Sequence, residues 1–372
     1  MGRRLSIVSN FVVVALFCGL SSPLFAATYT EQEPNDSKYT GNVIPPMVAG
    51  DVITGYSEAT FSTGDFSPDF FLVHTAELPP GIYQHRLRLT ITGAPPVTDT
   101  YNASILGLEQ VAGVIQPNTV ATVHTAPNNG YPNHPRRTVQ WYGFGRGERI
   151  YFRIFGNSNT TSNYVLTLET VSVQPQIVEP SFEPGLITIS NASTDAFTFF
   201  DAWVYDANLN AMPGYGPNFP ASLAREFAAG TYYVALGKFD LANNLPSPDG
   251  PSANPTDHQN SPVLDFPDAV LVHATAFNSN ISVNINGQFE AASVALAPYN
   301  IVWLKLTVGS NGCTCAGDMD SSGVFDGRDM KGFVDNVIAG EGSCADVNND
   351  TLVNTDDILP FVNILLTGGP CA

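Results

Sequence analysis

Apolar side chains alternate with polar ones along most of the chain between residues 28 and 310. Leu87, Leu89 and Ile91 alternate, as do Ile150, Phe152 and Ile154, then Tyr164, Leu166 and Leu168. Tyr232-Val234-Leu236, Val270-Val272-Ala274, Ile281-Val283-Ile285 and Val302-Leu304-Leu306 repeat the pattern. Period-two alternation at this density predicts antiparallel sheets with one buried face, hence β-sandwiches. Pro175, Pro180 and Pro184 interrupt the pattern, which places a boundary near residue 175 and separates segments 27–174 and 175–310. Pro246 to Pro262 reads as a long polar loop inside the second segment.

The period changes in the last 60 residues. Met330, Phe333, Val334, Val337 and Ile338 recur at i, i+3, i+4, i+7 and i+8, and Ile358, Phe361, Val362, Leu365 and Leu366 repeat that spacing. Each set is one face of an amphipathic helix. Pro360 is tolerated only in a first turn, so the second helix should begin near Asp356 or Asp357. Residues 311–317 carry two glycines and no periodicity, so no helix precedes the first set. The expected fold is mainly β: two antiparallel sandwich segments, jelly-roll-like, and then a small α-helical unit at 313–372.

Charge narrows the partners. The 34 acidic and 15 basic side chains leave a formal charge of −19, with no basic footprint for nucleic acid or an anionic membrane. A hydrophobic share of 44% argues for packed domains, and 60 glycines and prolines (32 plus 28) suit strands joined by many turns. At the start, Arg3 and Arg4 precede an apolar run from Phe11 to Leu20 and the small residues Ser21-Ser22-Pro23-Leu24-Phe25-Ala26-Ala27. That order is a signal peptide over 1–26, cut after Ala26 with Leu24 at minus three. The run is too short for a membrane span, which needs about 20 apolar residues, and bulky Phe17 before Cys18 does not suit lipoprotein processing. The mature protein is therefore expected to be secreted, extracellular or cell-surface associated, or periplasmic, with no membrane span.

After cleavage four cysteines remain, Cys313, Cys315, Cys344 and Cys371. An even, clustered count in an exported chain reads as two disulfides. Of the three pairings, the one joining Cys313 to Cys315 closes a strained ring and is the least favourable; the other two stay open. Zinc is a poorer use of these cysteines, because no Cys-x-x-Cys pair occurs.

The sharpest signal is a duplication at an offset of 28. Asp318-Met-Asp320-Ser-Ser322-Gly323-Val324-Phe325-Asp326-Gly-Arg-Asp329 aligns without gaps on Asp346-Val-Asn348-Asn-Asp350-Thr351-Leu352-Val353-Asn354-Thr-Asp-Asp357. Oxygen-bearing side chains fall at loop positions 1, 3, 5, 9 and 12 in both copies. Calcium takes six to eight oxygens, and a 12-residue loop supplies them from those positions and a backbone carbonyl at position 7. The expected ligands of two calcium ions are thus Asp318, Asp320, Ser322, Val324, Asp326 and Asp329, then Asp346, Asn348, Asp350, Leu352, Asn354 and Asp357. Phe325 and Val353, apolar at position 8, suit a short pairing between the loops. Residues 313–372 hold 10 acidic and 2 basic side chains, so without metal the carboxylates repel and folding should depend on calcium.

Two loop-helix calcium units of this spacing resemble a type I dockerin domain over about residues 313–370. The resemblance implies docking onto a cohesin-type or cell-surface partner, in assemblies that degrade extracellular polysaccharide. It implies contacts from loop positions 10 and 11, here Gly327-Arg328 and Thr355-Asp356, with the helices that follow. Position 5 of loop 1 is Ser322, a weaker ligand than aspartate, and position 6 of loop 2 is Thr351 where glycine eases the turn. The two contact pairs also differ chemically, which departs from the family's two-way docking. The added cysteines are similar to those in dockerin-like tails of planctomycete secreted proteins.

The mature start, Glu31-Gln-Glu33-Pro-Asn35-Asp36, resembles the opening of the bacterial pre-peptidase C-terminal (PPC-like) domain, a small β-sandwich. Asp65-Phe-Ser-Pro-Asp69-Phe-Phe and Ala228-Ala-Gly-Thr-Tyr-Tyr-Val-Ala-Leu236 resemble strands of its sheet. In related collagen-binding modules a run of this kind binds calcium, which implies Glu31, Glu33, Asn35 and Asp36 as a third site; a solvated turn is the alternative.

Catalytic chemistry is not evident. No His-Glu-x-x-His helix, Gly-x-Ser-x-Gly elbow or phosphate-cradling glycine loop occurs, and every cysteine after the signal lies in the tail. His258 lies in a polar loop, and His273 sits within a strand pattern. Glu109, Asp195, Asp201 and Asp206 are possible members of a glycosidase carboxylate pair, with nothing favouring one pair. Trp141, Tyr142 and Phe144 near Arg146 read either as a sugar-binding platform or, more often for such residues, as core. The reading is a secreted, modular, non-catalytic protein with no assigned catalytic residue. Its rivals are a secreted glycoside hydrolase with its site in a sandwich, and a structural surface protein whose tail is a calcium clip.

Overall fold

The computed structural model describes residues 26–370 apart from 61–64, 93–100, 126–137, 157–159, 179–180, 183, 193–200, 217–221, 238–240, 248–259, 273–278, 287–288, 291–293, 298, 310–314, 320–321, 341, 343 and 351. Most of the predicted signal peptide lies outside the described residues. The chain is mainly β, with a small helical part at its C-terminal end.

One sheet has eight strands. Across it run Thr28–Thr30, Val52–Thr60, Thr160–Val173, Ile82–Thr92, Thr138–Gly143, Ala269–Val272 and Leu241–Ala242, with Asp65–Phe66 paired to the second of these. Facing it is a five-stranded sheet of Ala121–Thr125, Tyr101–Gly107, Arg149–Gly156, Asp69–His74 and Asn42–Val43. Leu87, Leu89, Leu166 and Leu168 from the first meet Phe71, Ile105, Phe152 and Ile154 from the second in one core. Leu87, Leu89, Phe152, Ile154, Leu166 and Leu168 are positions that the period of two assigns inward. Two four-stranded sheets form a second sandwich: Gln176–Ile177, Ile301–Val308, Gly230–Gly237 and Asp201–Tyr205 in one, Ser222–Phe227, Gly185–Asn191, Val283–Ile285 and Phe289–Glu290 in the other. Ile187, Ile189, Val234, Leu236, Leu304 and Leu306 lie in its core.

Among the described strands, pairing is antiparallel except at three short edge strands. Thr28–Thr30 runs parallel to Val52–Thr54, Asn42–Val43 to Phe71–Leu72, and Gln176–Ile177 to Leu304–Lys305. These two- and three-residue pieces add to an edge without a hairpin, so strand direction is not constrained by a tight turn.

Some strands are apolar on both faces, and the packing explains why. In Thr138–Gly143, Val139 and Trp141 enter the first core, while Tyr142 and the following Phe144 enter a third. In Asp201–Tyr205, Val204 faces the second core, whereas Trp203 and Tyr205 face the third. That third core binds one sandwich to the other. Trp303 sits at 5.3 Å from Tyr205 and 5.8 Å from Phe144, ring centre to ring centre, the latter pair edge to face. Edge-to-face and tilted contacts of this kind suit the aromatic quadrupole. Trp141, Tyr142 and Phe144 are only 0%, 2% and 2% exposed. The sugar-platform reading therefore falls, and these rings are core. Residues 241–242 and 269–272, beyond the proline break, complete the large sheet of the first sandwich.

The C-terminal part holds the helix Asp329–Ala339, a 3-10 turn at Thr355–Asp357 and the helix Ile358–Thr367, with Pro360 in its first turn. Phe333 and Phe361 stack face to face at 3.8 Å in a small core with Ala345 and Val347. Val324–Phe325 pairs with Gly369–Pro370, so among the described residues this strand does not pair with the second loop as expected. No helix among the described residues is long and apolar enough to cross a membrane.

Candidate functional site

Two places carry candidate oxygen ligands. The first is the pair of C-terminal loops. Asp318, at position 1, accepts from Ser322 N (3.1 Å) and Gly323 N (2.9 Å), bending the loop around its carboxylate. Gly323 lies at φ +77°, a conformation that glycine adopts without strain. Asp329, at position 12, accepts from Met319 N (2.7 Å) and Asp326 N (2.9 Å), tying the end of the loop to its start. The second loop repeats the device. Asp346 accepts from Asp350 N (3.0 Å), and Asp357 accepts from Val347 N (2.8 Å), Asn348 N (3.1 Å) and Asn354 N (3.0 Å). Asn348, Asp350 and Asn354 each accept from a loop amide two residues on.

Asp318, Asp329 and Asp357 are buried, whereas Ser322 and Asp350 are exposed. The last carboxylate of each loop and the first of loop 1 are thus inside, Asp346, Asp326 and Asn354 are half-buried, and Ser322 and Asp350 face solvent. Asp320 and Thr351 lie outside the described residues. Cys315 and Cys344 are disulfide-bonded; Cys313 and Cys371 lie outside the described residues.

The second gathering is on the first sandwich. Glu31 follows the edge strand Thr28–Thr30, and Asp69 opens the strand Asp69–His74 of the opposite sheet. One ligand oxygen from each of Glu31, Glu33 and Asp69 lies within 4.8 Å of the others. Asn35 is fully buried beside them. Its side-chain amide donates to Glu31 Oε1 (2.9 Å), its backbone N to Glu33 Oε2 (2.9 Å), and its carbonyl accepts from Phe70 N (3.1 Å). Asp36 departs from the expected set: it is exposed and accepts from Ser67 Oγ (2.8 Å). The third carboxylate is Asp69, which sequence reading assigned only to a strand. Its signal was present as Ser-Pro-Asp-Phe-Phe, an acid ahead of an apolar strand, but nothing local ties it to a residue 38 positions earlier.

Asp69 is fully buried, and neither of its oxygens meets a donor at hydrogen-bonding geometry; Asn35 Oδ1 is likewise unmatched. Burial pushes the Asp69 carboxyl up to about 9, the charge of Glu31 adds to the rise, and the nearby Tyr164 hydroxyl offsets part of it. Burial also raises Glu33 and raises the Tyr164 hydroxyl, with Asp69 and Glu31 adding to it. Buried oxygens without donors, gathered on acidic neighbours, fit a hard cation.

A third polar cluster is also buried. Glu148 Oε1 accepts from the backbone N–H of Phe144 (2.6 Å), Gly145 (2.7 Å) and Arg146 (2.9 Å), while Thr75 Oγ1 donates to Oε2 (2.6 Å). His85 Nε2 lies 3.3 Å from Glu148 Oε2, its Nδ1 bonds Thr170 Oγ1 (3.0 Å), and its ring stacks on Trp141. Burial raises the Glu148 carboxyl, but hydrogen bonds from His85, Thr75 and the Arg146 amide outweigh that and hold it down at about 2. This network closes the Gly143–Gly147 turn; sequence reading missed it because its members lie on three separate strands and a turn.

The candidate glycosidase carboxylates are not brought together as a pair among the described residues. Asp206 accepts from Asn208 N (2.9 Å) and Asn210 N (2.8 Å) in its own turn, and Asp201 is buried and accepts from Leu241 N (3.2 Å). Glu109 is exposed on the first sandwich. Asp195, His258 and His273 lie outside the described residues. No protein-family model matches the chain, and no curated protein matches it either.

Proposed function

We propose that this is a secreted, modular, non-catalytic calcium-binding protein, with a dockerin-like C-terminal unit that takes two calcium ions and docks onto a cohesin-type or cell-surface partner in extracellular polysaccharide degradation. The observation that carries the reading is the repeated loop: in both copies the carboxylates at positions 1 and 12 accept from loop backbone amides and hold the loop in a turn. Ser322, Val324 and Asp326 complete the first set with Asp320, and Asn348, Asp350, Leu352 and Asn354 the second. When bound, calcium would neutralise the gathered carboxylates and lock each loop onto the helix that follows.

Exposure supports a docking face. The apolar stripe of each helix divides: Phe333 and Phe361 turn inward, while Met330, Val334 and Ile338 on one helix and Ile358, Val362 and Leu366 on the other stay in solvent. Ile338 and Leu366 are each 80% exposed. Gly327, Arg328, Thr355 and Asp356 are exposed as well. On this reading a third cation sits among Glu31, Glu33 and Asp69 on the sandwich.

Calorimetric titration of the mature chain with calcium tests the reading, paired with pull-down from the native secretome in calcium and in chelator. Tail sites account for two ions that disappear in the double variant Asp329→Ala/Asp357→Ala, and a cohesin-type protein is retained only in calcium. A titration unchanged by that variant removes the calcium reading. Retention of no partner removes docking and leaves the tail as a folding clip.

A further inference from the structure

A cleft of about 660 Å³ opens beside Glu31 and Glu33 at the edge of the eight-stranded sheet. Its size falls in the range usual for small-ligand sites. We infer, resting on the reading that Glu31, Glu33 and Asp69 hold a divalent cation, that this cleft binds a neutral saccharide whose vicinal hydroxyls complete the coordination of that cation.

Coordination number is the first support. Calcium takes six to eight oxygens, and three carboxylates with Asn35 Oδ1 fill only part of such a shell unless every carboxylate is bidentate. The protein ligands are also arranged on one side. Asp69 and Asn35 are fully buried beneath, while Glu31 and Glu33 form part of the cleft wall. The remaining positions therefore face the cleft, where a ligand oxygen or water must supply them.

The lining supplies the second support. Thr30, Thr54, Ser67, Asn163 and Tyr164 present hydroxyl and amide groups around the space, and Tyr56, 45% exposed, adds an aromatic ring at its edge. Hydroxyl and amide groups exchange hydrogen bonds with sugar hydroxyls in both senses, and an exposed ring offers an apolar face for a sugar's C–H groups.

Gly55 keeps the floor open. A Cβ there would stand 2.2 Å from the Tyr164 hydroxyl and 2.3 Å from Glu31 Oε2. Only glycine lets these two groups converge on the cleft while Glu31 also accepts from Tyr56 N at 2.8 Å. The acidic wall and a formal charge of −19 disfavour anionic ligands, which leaves neutral polyols as the class that meets both the cation and the lining.

The test uses the full mature chain carrying Asp329→Ala/Asp357→Ala, so that calcium acts on the sandwich alone. Calcium-dependent thermal shifts are recorded first, and then calorimetric binding of neutral cello-, xylo-, manno- and galacto-oligosaccharides in calcium and in chelator. The expected result is binding of at least one oligosaccharide that weakens about tenfold or more on chelation. Tyr56→Ala weakens the saccharide about fivefold or more while the calcium shift persists, and Asp69→Asn abolishes both. A calcium shift that requires Asp69, with no oligosaccharide bound or with binding indifferent to chelator, overturns the saccharide proposal and leaves the cation reading standing. A calcium shift absent from the parent chain or unchanged in Asp69→Asn overturns the cation reading, and the proposal with it.

Discussion

The tail loops and the sandwich cluster hold the same kind of ligand under opposite conditions. In the tail, each buried carboxylate is met by amides no more than 10 residues away, as Asp329 is by Met319 N and Asp326 N. On the sandwich, Asp69 comes from a separate sheet and is met by no backbone amide. Among the described residues the tail core has four buried apolar side chains, so on the proposed reading its fold would lean on the metal, whereas the sandwich core is large enough to hold a buried carboxylate in place. On the proposed reading, a cation would be a folding element in one region and a ligand of a finished framework in the other.

The largest expected effect breaks that comparison at the tail. Chelation, or Asp329→Ala/Asp357→Ala in calcium, should unfold the C-terminal unit while both sandwiches stay folded. Limited proteolysis with mass spectrometry reads this as rapid cleavage beyond residue 310 and none before it. Protection of the tail in chelator would show that its disulfides and small core suffice.

The converse experiment strikes the sandwiches. Trp303→Ala removes a fully packed indole from the core between them and should cost about 3–5 kcal/mol, with a lower melting temperature and unchanged calcium stoichiometry in the tail. A loss below about 1 kcal/mol would mean that the aromatic contacts collapse onto the vacancy.

Glu148 gives a smaller, pH-dependent effect. Its carboxyl is held at about 2 in the folded chain against an ordinary value of 4.5, so its contribution is present above about 4.5 and is lost as pH falls toward 2. The difference corresponds to about 3 kcal/mol at neutral pH. Glu148→Gln should therefore lower the melting temperature at pH 7 and have much less effect near pH 2; equal losses at both would place the role in shape rather than charge.

Legibility followed locality. The tail's paired loops and helices were readable because the sequence repeats at a fixed offset, and the sandwich strands because alternation marks a single buried face. Tyr142, Phe144 and Trp203 resisted the same rule because their strands are covered on both sides, where alternation carries two cores at once. Asp69 resisted it for another reason: strand pairing, not spacing, brings it to Glu31. The helical stripes were legible as stripes, but the period could not tell that Val334 and Ile338 face water while Phe333 faces Phe361.

That last distinction supports the smallest stability effect and the sharpest test of the tail's role. Val334→Ser/Ile338→Ser alters side chains that are 50% and 80% exposed, on the helix flank away from the Phe333–Phe361 stack. Surface changes of this kind usually move stability by about 0.5 kcal/mol or less, so calcium binding and proteolytic resistance should be unchanged. Docking, by contrast, would lose apolar contacts at one of two ridges, because Ile358, Val362 and Leu366 repeat the feature 28 residues on. The ridge that carries the partner is then the one whose variant abolishes calcium-dependent retention, and the matching variant Val362→Ser/Leu366→Ser decides between them. Loss of retention in both variants assigns a single face spanning the two helices. Loss in neither leaves a calcium-loaded tail that does not use its apolar ridges to dock.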